Sequence, residues 1–156
     1  MIGYHFAPLR LRPGSIIEPG NWGRLLHFHP VVQTSTGKTG IEMLLAREIA
    51  FEMVRAQRFA AKPSRLSCCF VLPTIEDAQK YRPHAAANVL CRVEACEFDA
   101  KSHRASLTHC AMPDGGVALP GMIAAAEAYW QGSAGQPEAA TEVLLSCAIR
   151  VVECLG

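Results

Sequence analysis

The stretch 66-LSCCFVLPTIEDAQKY-81 decides the fold class, because a strand pattern in it is followed directly by a helix pattern. Its first residues are apolar and β-forming, and Pro73 ends that run. Thr74 and Asp77 then have the spacing of a helix N-terminus, which predicts a short helix to about Tyr81, ended by a proline two residues later.

A longer helix and a short strand are predicted before this stretch. Residues 3–7 have the pattern of a strand, and residues 17–40, rich in Gly, Pro, Ser and Thr, are predicted to form a long loop. A capping box at Thr39 and Glu42 precedes apolar residues at helical spacing, which predicts a helix over residues 41–58. Its predicted apolar face consists of Ile41, Leu44, Leu45, Ile49, Met53 and Val54.

Short strands and one more helix are predicted for the rest of the chain. They are a strand at 89–98, a partner strand at 104–110, a turn at 113–116, a helix at 120–129, a loop at 133–140, and strands at 142–145 and 149–152. Because strands and helices do not alternate regularly, the pattern indicates an α+β fold rather than a doubly wound one. The length fits one domain over residues 1–156.

Composition narrows the class of protein. The formal net charge is +1, so no global field favours nucleic acid or a membrane surface. The chain has neither a signal-peptide pattern nor an apolar run of about 20 residues, so we expect no membrane partner. Seven cysteines without a CxxC pair predict free thiols rather than a disulfide framework. These features predict a cytoplasmic protein, or one secreted by a route that needs no signal peptide.

Three separated patches carry the candidate functional residues. The first is Tyr4-His5-Phe6-Ala7, which places a histidine on the first predicted strand. The second is the pair Phe70 and Tyr81, two aromatic residues on either side of a turn and a short helix. The third is Thr141-Glu142-Val143-Leu144-Leu145, in which a carboxylate begins an apolar strand.

In this order the patches resemble the ADP-ribosyltransferase superfamily, particularly its His-Tyr-Glu branch of diphtheria-type toxins and poly(ADP-ribose) polymerases, and small bacterial domains of that fold. The resemblance implies a split β-sandwich of two small sheets with flanking helices and an NAD cleft. It implies that His5 binds the adenosine ribose, that the backbone of Phe6 holds the nicotinamide amide, and that Phe70 and Tyr81 enclose the nicotinamide ring. Glu142 matches the catalytic glutamate of the superfamily.

The sequence departs from the family pattern at three positions. Phe70 replaces a tyrosine, and no glycine follows His5 directly. Ala140 stands where arginine-modifying members carry Gln or Glu, which argues against arginine as the acceptor.

The chemistry of NAD cleavage explains the residue types. Breaking the nicotinamide–ribose bond creates an oxocarbenium-like transition state, which a carboxylate such as Glu142 stabilises. Aromatic faces fix the cationic nicotinamide ring. Ser64 and Arg65 precede the central strand, where the guanidinium would bind the NAD diphosphate; a surface arginine is the equal alternative. Glu138 and Glu153 are rival carboxylates: Glu138 lies in the predicted loop before the strand, where it could contact substrate, whereas the late position of Glu153 favours a solvent-facing role.

The resemblance implies an enzyme, a mono-ADP-ribosyltransferase that moves ADP-ribose from its co-substrate NAD to a protein or nucleic acid and releases nicotinamide. A bacterial toxin or effector is the implied setting, with an immunity or antitoxin protein as a candidate partner. Two alternatives on the same fold are an NAD glycohydrolase and an RNA 2′-phosphotransferase, and the carboxylate of Glu142 argues against the second. A non-catalytic domain that binds NAD-like ligands or a protein is a third alternative.

Two further patterns are weaker. His27 and His29 with Cys68 and Cys69 lack the ligand spacing of a zinc site, so no metal is predicted. Residues 36–39 have part of a phosphate-loop pattern but lack its first glycine.

Overall fold

A computed structural model describes residues 1–28, 41–85, 88–111 and 118–155. Within these ranges the chain forms seven strands and four α-helices. The strands are β1 (Ile2–Ala7), β2 (Ile16–Ile17), β3 (Cys69–Val71), β4 (Val89–Ala95), β5 (Ser102–Ser106), β6 (Thr141–Leu145) and β7 (Ile149–Cys154). The helices are α1 (Asn21–Phe28), α2 (Ile41–Arg58), α3 (Ile75–Ala85) and α4 (Leu119–Gln131), with short 3₁₀ helices at Arg65–Ser67 and Leu107–Cys110. The predicted α+β class is confirmed.

The strands form two antiparallel sheets. One has the order β1-β4-β7-β2 and the other the order β3-β6-β5. Tyr4 and Leu72 join the two sheets through a pair of backbone hydrogen bonds of 2.8 and 2.7 Å. One apolar core is shared by both sheets; its buried members include Ala7, Cys69, Val71, Cys91, Val93, Val143, Leu145, Ile149 and Val151.

Helices α2 and α4 cover the other face of the three-stranded sheet and form a second core with it. The indole Nε1 of Trp130 donates to the carbonyl oxygen of Phe51 at 2.7 Å and ties the two helices together. Tyr129 and Leu144 are fully buried beside them. A helix pair therefore lies against strand β6, which carries Glu142.

Helix termini follow the local sequence closely. The hydroxyl of Thr74 accepts a hydrogen bond from the backbone N–H of Asp77 at 3.0 Å, as the predicted cap of α3 requires. Helix α4 ends at Gly132, whose φ of 75° places it in the left-handed region that glycine adopts without strain. The prediction that a proline ends α3 is wrong, because Pro83 lies within the last turn of that helix.

The predicted pairing of residues 104–110 with the strand at 89–98 is wrong. Strand β5 pairs with β6, because both edges of β4 are already occupied by β1 and β7. The chain after Ser106 turns into a 3₁₀ helix, since the hydroxyl of Ser106 accepts from the N–H of Thr108. The strand in the opening stretch is also shorter than predicted, because residues 65–67 form a 3₁₀ helix before β3.

The predicted loop at 17–40 and the predicted free thiols also need correction. Helix α1 occupies part of the loop, at Asn21–Phe28, and packs against the 3₁₀ helix that follows Ser64.

Cys91 and Cys154 form a disulfide between neighbouring strands, because the register of β4 and β7 places them opposite each other. The capping residue Thr39, residues 36–39 and the predicted turn at 113–116 lie outside the described residues.

None of the helices in these ranges is both long enough and apolar enough to cross a bilayer.

Candidate functional site

His5 lies on β1 and links the two sheets. Its Nδ1 donates a hydrogen bond to the backbone carbonyl oxygen of Phe70 on β3 at 2.8 Å. Burial lowers the pKa of His5, and the hydrogen bond to Phe70 only partly opposes this shift. The imidazole is therefore neutral at pH 7, with its proton on Nδ1 and an acceptor lone pair on Nε2.

Phe6 and Tyr81 form an aromatic pair beside this link. Their ring centroids are 5.9 Å apart, and the guanidinium of Arg82 lies 5.4 Å from the centroid of Phe6. Burial raises the pKa of Tyr81, and the negative charge of Glu142 raises it further. The phenol of Tyr81 is thus protonated and lies within the electrostatic range of Glu142.

Glu142, at the start of β6, is buried and engaged in hydrogen bonds. Its Oε1 accepts from the hydroxyl of Tyr129 at 2.6 Å and from Nη1 of Arg65. Within the described part of the chain, Oε2 accepts no hydrogen bond. The side chain keeps 7% of its surface exposed. Because both of its hydrogen bonds go to Oε1, the two carboxylate oxygens have different environments.

Arg65 is the centre of this cluster. Its Nε donates to Glu48 at 2.9 Å, and its Nη1 donates to the hydroxyl of Tyr129 at 2.7 Å. The guanidinium lies 4.9 Å from the ring centroid of Phe70 and 5.0 Å from that of Tyr129. The guanidinium is thus already bound to Glu48, Tyr129 and Glu142, and the predicted role of Arg65 in binding a diphosphate stays a prediction.

The hydroxyl of Ser64 is also engaged in hydrogen bonds within the protein. Its hydroxyl donates to Oε2 of Glu52 at 2.7 Å and accepts from the backbone N–H of Leu66 at 3.1 Å. The second of these bonds caps the 3₁₀ helix that begins at Arg65.

The predicted site residues fall into two neighbouring groups. Phe70 packs with the core under α2 and α4, whereas Phe6 and Tyr81 pack with Leu72 and Ala140 under α3. His5 is bonded to the backbone of Phe70, and Glu142 is bonded to the arginine that stacks on Phe70. The rival carboxylates are exposed: Glu138 lies in the loop before β6, and Glu153 pairs with Arg92 at 2.8 Å.

Sequence reasoning missed Glu48 and Tyr129. Glu48 is only 1% exposed, and Arg65 and Arg47 lower its pKa although burial opposes the shift. The sequence feature that could have identified Glu48 is its helical spacing from Leu44, Phe51 and Val54, which form the buried face of α2. The predicted apolar face of α2 was partly wrong, because the side chains of Leu45, Ile49 and Met53 are exposed.

A groove of about 440 Å³ lies beside the N-terminal end of β6. Lys80, Arg104 and Thr141 line it together with the loop at 132–137. Ala105, which is opposite Glu142 in the sheet, also lines the groove. Thr141, which precedes Glu142 on β6, therefore contacts the groove, whereas Glu142 itself is not among the residues that line it.

A family model described as a protein of unknown function (DUF2441) matches residues 30–155. The chain belongs to the DUF2441 family. The DUF2441 match contains Glu48, Arg65, Tyr129 and Glu142, whereas His5 lies before it. No curated protein is similar enough to match this chain.

No three His, Cys, Asp or Glu residues within 1–28, 41–85, 88–111 and 118–155 are arranged to hold a metal ion. His29, part of the weak zinc pattern, lies outside these ranges.

Proposed function

We propose that this DUF2441 protein is an NAD-dependent mono-ADP-ribosyltransferase in which Glu142 stabilises the oxocarbenium-like transition state. One observation carries the proposal: three distant parts of the chain meet in one connected set of contacts. His5 binds the backbone of Phe70, the ring of Phe70 lies on the guanidinium of Arg65, and Arg65 binds Glu142. The resemblance of these positions to the His-Tyr-Glu branch supplies the chemistry.

We infer that the two sheets form the split β-sandwich of that superfamily and that NAD binds across their junction at Tyr4 and Leu72. The shared apolar core and the paired backbone hydrogen bonds at this junction support the inference. Nδ1 of His5 is occupied by Phe70, so Nε2, which has no hydrogen bond within the described residues, accepts one from a ribose hydroxyl. The backbone of Phe6 then holds the nicotinamide amide.

Phe70 and Tyr81 enclose the nicotinamide ring in this proposal. One face of Phe70 is covered by Arg65, so the nicotinamide uses the rest of its surface. Tyr81 has its proton at pH 7, because burial raises its pKa, and it presents a neutral ring to the cationic nicotinamide. Arg65 supports Glu142.

Glu142 interacts with the ribose through Oε2, because Oε1 is bonded to Arg65 and Tyr129. A carboxylate fixed before the reaction stabilises positive charge on the ribose without reorganising in the transition state. The acceptor, a protein or a nucleic acid, approaches through the groove at Lys80 and Arg104. In a toxin or effector, a bound immunity or antitoxin protein would block this access.

The test is incubation of a cell lysate with labelled NAD and wild-type protein, Glu142→Gln or Glu153→Gln. We expect label on a macromolecule with wild type and Glu153→Gln, and about a hundredfold to a thousandfold slower labelling with Glu142→Gln. Nuclease and protease treatment then identifies the class of acceptor.

Nicotinamide release is measured in the same samples. Release of nicotinamide without labelling would identify an NAD glycohydrolase. Intact NAD with all three proteins would contradict the enzymatic proposal and favour a binding domain. Equal labelling by Glu142→Gln and wild type would contradict the role of Glu142.

A further inference from the structure

Four charged side chains of alternating sign form a buried row that ends at Glu142. Arg47 binds Glu48 at 2.7 Å, Glu48 binds Arg65 at 2.9 Å, and Arg65 binds Glu142. Each of these side chains is at most 11% exposed. Because two arginines and two glutamates alternate along the row, its net charge is zero, and each buried charge has a partner of opposite sign.

Tyr129 lies beside the last pair of the row and contacts both members. Its hydroxyl accepts a hydrogen bond from Arg65 at 2.7 Å and donates one to Glu142 at 2.6 Å. Burial raises the pKa of Tyr129 well above its usual value. A hydroxyl between a cation and an anion has a single orientation for its proton, so Tyr129 always donates to Glu142.

Both donors act on the same oxygen of Glu142. Oε1 accepts from Arg65 and Tyr129, while in the described ranges no donor reaches Oε2. A carboxylate needed only for stability would gain from donors on both oxygens, since each has lone pairs to satisfy. The arrangement instead fixes the rotation of the carboxylate and leaves Oε2 without a donor among the described residues.

We infer that Tyr129 and Arg65 are positioning residues, which hold Glu142 by Oε1 and present Oε2 to a ligand hydroxyl. This inference rests on the proposed function for the identity of that hydroxyl, a ribose hydroxyl of NAD. Glu48 acts on Glu142 indirectly: it accepts a hydrogen bond from Arg65, which in turn donates to Glu142. Neither Tyr129 nor Glu48 touches the reacting atoms in this scheme.

Tyr129→Phe removes only the hydroxyl and tests the inference directly. Hydrogen bonds to charged groups have a strength that corresponds to about a 10- to 100-fold change in rate. We expect kcat for nicotinamide release to fall by that factor, while KM for NAD changes by less than about twofold. Glu153→Gln is the control, because Glu153 is an exposed residue of β7 that pairs with Arg92 at 2.8 Å and lies outside the proposed site; it leaves kcat unchanged.

A second readout does not depend on turnover. The carboxyl ¹³C resonance of Glu142, assigned by its loss in Glu142→Gln, is expected to move in Tyr129→Phe and to stay in place in Glu153→Gln. If Tyr129→Phe does not fold, Glu48→Gln provides the same test, because it releases Arg65 and moves the same resonance.

The outcomes separate the two proposals. An unmoved resonance in Tyr129→Phe, or in Glu48→Gln if that variant is needed, would overturn the positioning role whether or not the protein cleaves NAD. A moved resonance in a protein whose wild type leaves NAD intact would support the positioning of Glu142 and overturn only the proposed reaction. Equal kcat values for wild type and a folded Tyr129→Phe would also overturn the positioning role.

Discussion

Nδ1 of His5 lies 2.8 Å from the carbonyl oxygen of Phe70, which is 65 residues away in the sequence. This hydrogen bond joins an edge strand of one sheet to an edge strand of the other. It requires a proton on Nδ1, which the neutral Nδ1–H tautomer supplies, and burial lowers the pKa of His5. A buried side chain that donates from Nδ1 therefore links the two sheets.

The first prediction concerns the stability of the fold at mildly acidic pH. Burial lowers the pKa values of both His5 and His103 from the usual 6.5. Below that value the unfolded chain binds protons that the folded chain excludes, so stability is full above it and falls as the pH decreases. We expect Tm to fall between about pH 7.5 and pH 5, and to fall less in His5→Gln and in His103→Gln.

The exposed residue His84 provides the control for this experiment. His84→Gln is expected to keep the wild-type dependence of Tm on pH. A dependence that is identical in wild type, His5→Gln and His103→Gln would contradict the assignment.

The second prediction compares a buried carboxylate with an exposed one. Glu48 is 1% exposed and bound to two arginines, whereas the side chain of Glu153 is 49% exposed and bound to one. Glu48→Gln leaves buried positive charge without a partner, and we expect a loss of about 3 kcal/mol or more in the free energy of unfolding. Glu153→Gln is expected to cost less than about 1 kcal/mol. Urea denaturation measures both, and equal losses would show that the buried row does not stabilise the fold.

Elements with complete local signals were predicted correctly from the sequence. Helix α4 has a proline near its start and Gly132 at its end, and both signals act within a single turn. The pairing of β5 was predicted wrongly, because a strand pattern does not identify the edge to which the strand binds. That choice depended on β1 and β7, which occupy both edges of β4 and are far from it in the sequence.

In the candidate site, too, the residues with local sequence motifs were predicted and those that depend on distant contacts were missed. Glu142, Phe70 and His5 were selected by motif and order, and the structure places them in one connected set of contacts. Glu48 and Tyr129 were missed, because their importance comes from Arg65, which is 17 residues from the first and 64 from the second. The only local signal was that Glu48 lies on the buried side of α2. The predicted apolar face of α2 did not reveal it, because that face included residues whose side chains are exposed.

The third prediction concerns the disulfide between Cys91 and Cys154. The other five cysteines are free, so denatured protein without reductant is expected to give five reactive thiols, and seven after reduction. Cys154→Ser is expected to give the same count with and without reductant. The bond joins residues 63 apart in the sequence, and losing such a cross-link costs up to about 4 kcal/mol in unfolding free energy. Seven thiols in the unreduced protein would contradict the bond.

The fourth prediction concerns Gly23, where two effects of opposite sign compete. In a helix, replacing glycine by alanine gains up to about 1 kcal/mol. A Cβ at Gly23 would lie 2.2 Å from the carbonyl oxygen of Leu66, in the 3₁₀ helix that holds Arg65. Because that oxygen belongs to the backbone, it cannot move aside without moving Arg65, and such overpacking costs about 1–3 kcal/mol. We therefore expect Gly23→Ala to be destabilised despite the higher helix propensity of alanine.

Gly14→Ala is the contrasting variant for this measurement, because its Cβ would meet nothing within 4 Å, although its φ of 87° disfavours alanine. We expect Gly14→Ala to cost about 1 kcal/mol through backbone strain alone and to leave kcat for nicotinamide release unchanged. Gly23→Ala is expected to lower that kcat as well, because the displaced Leu66 carbonyl moves Arg65 away from Glu142. If Gly23→Ala proved as stable and as active as wild type, the contact between α1 and the 3₁₀ helix would not control the position of Arg65.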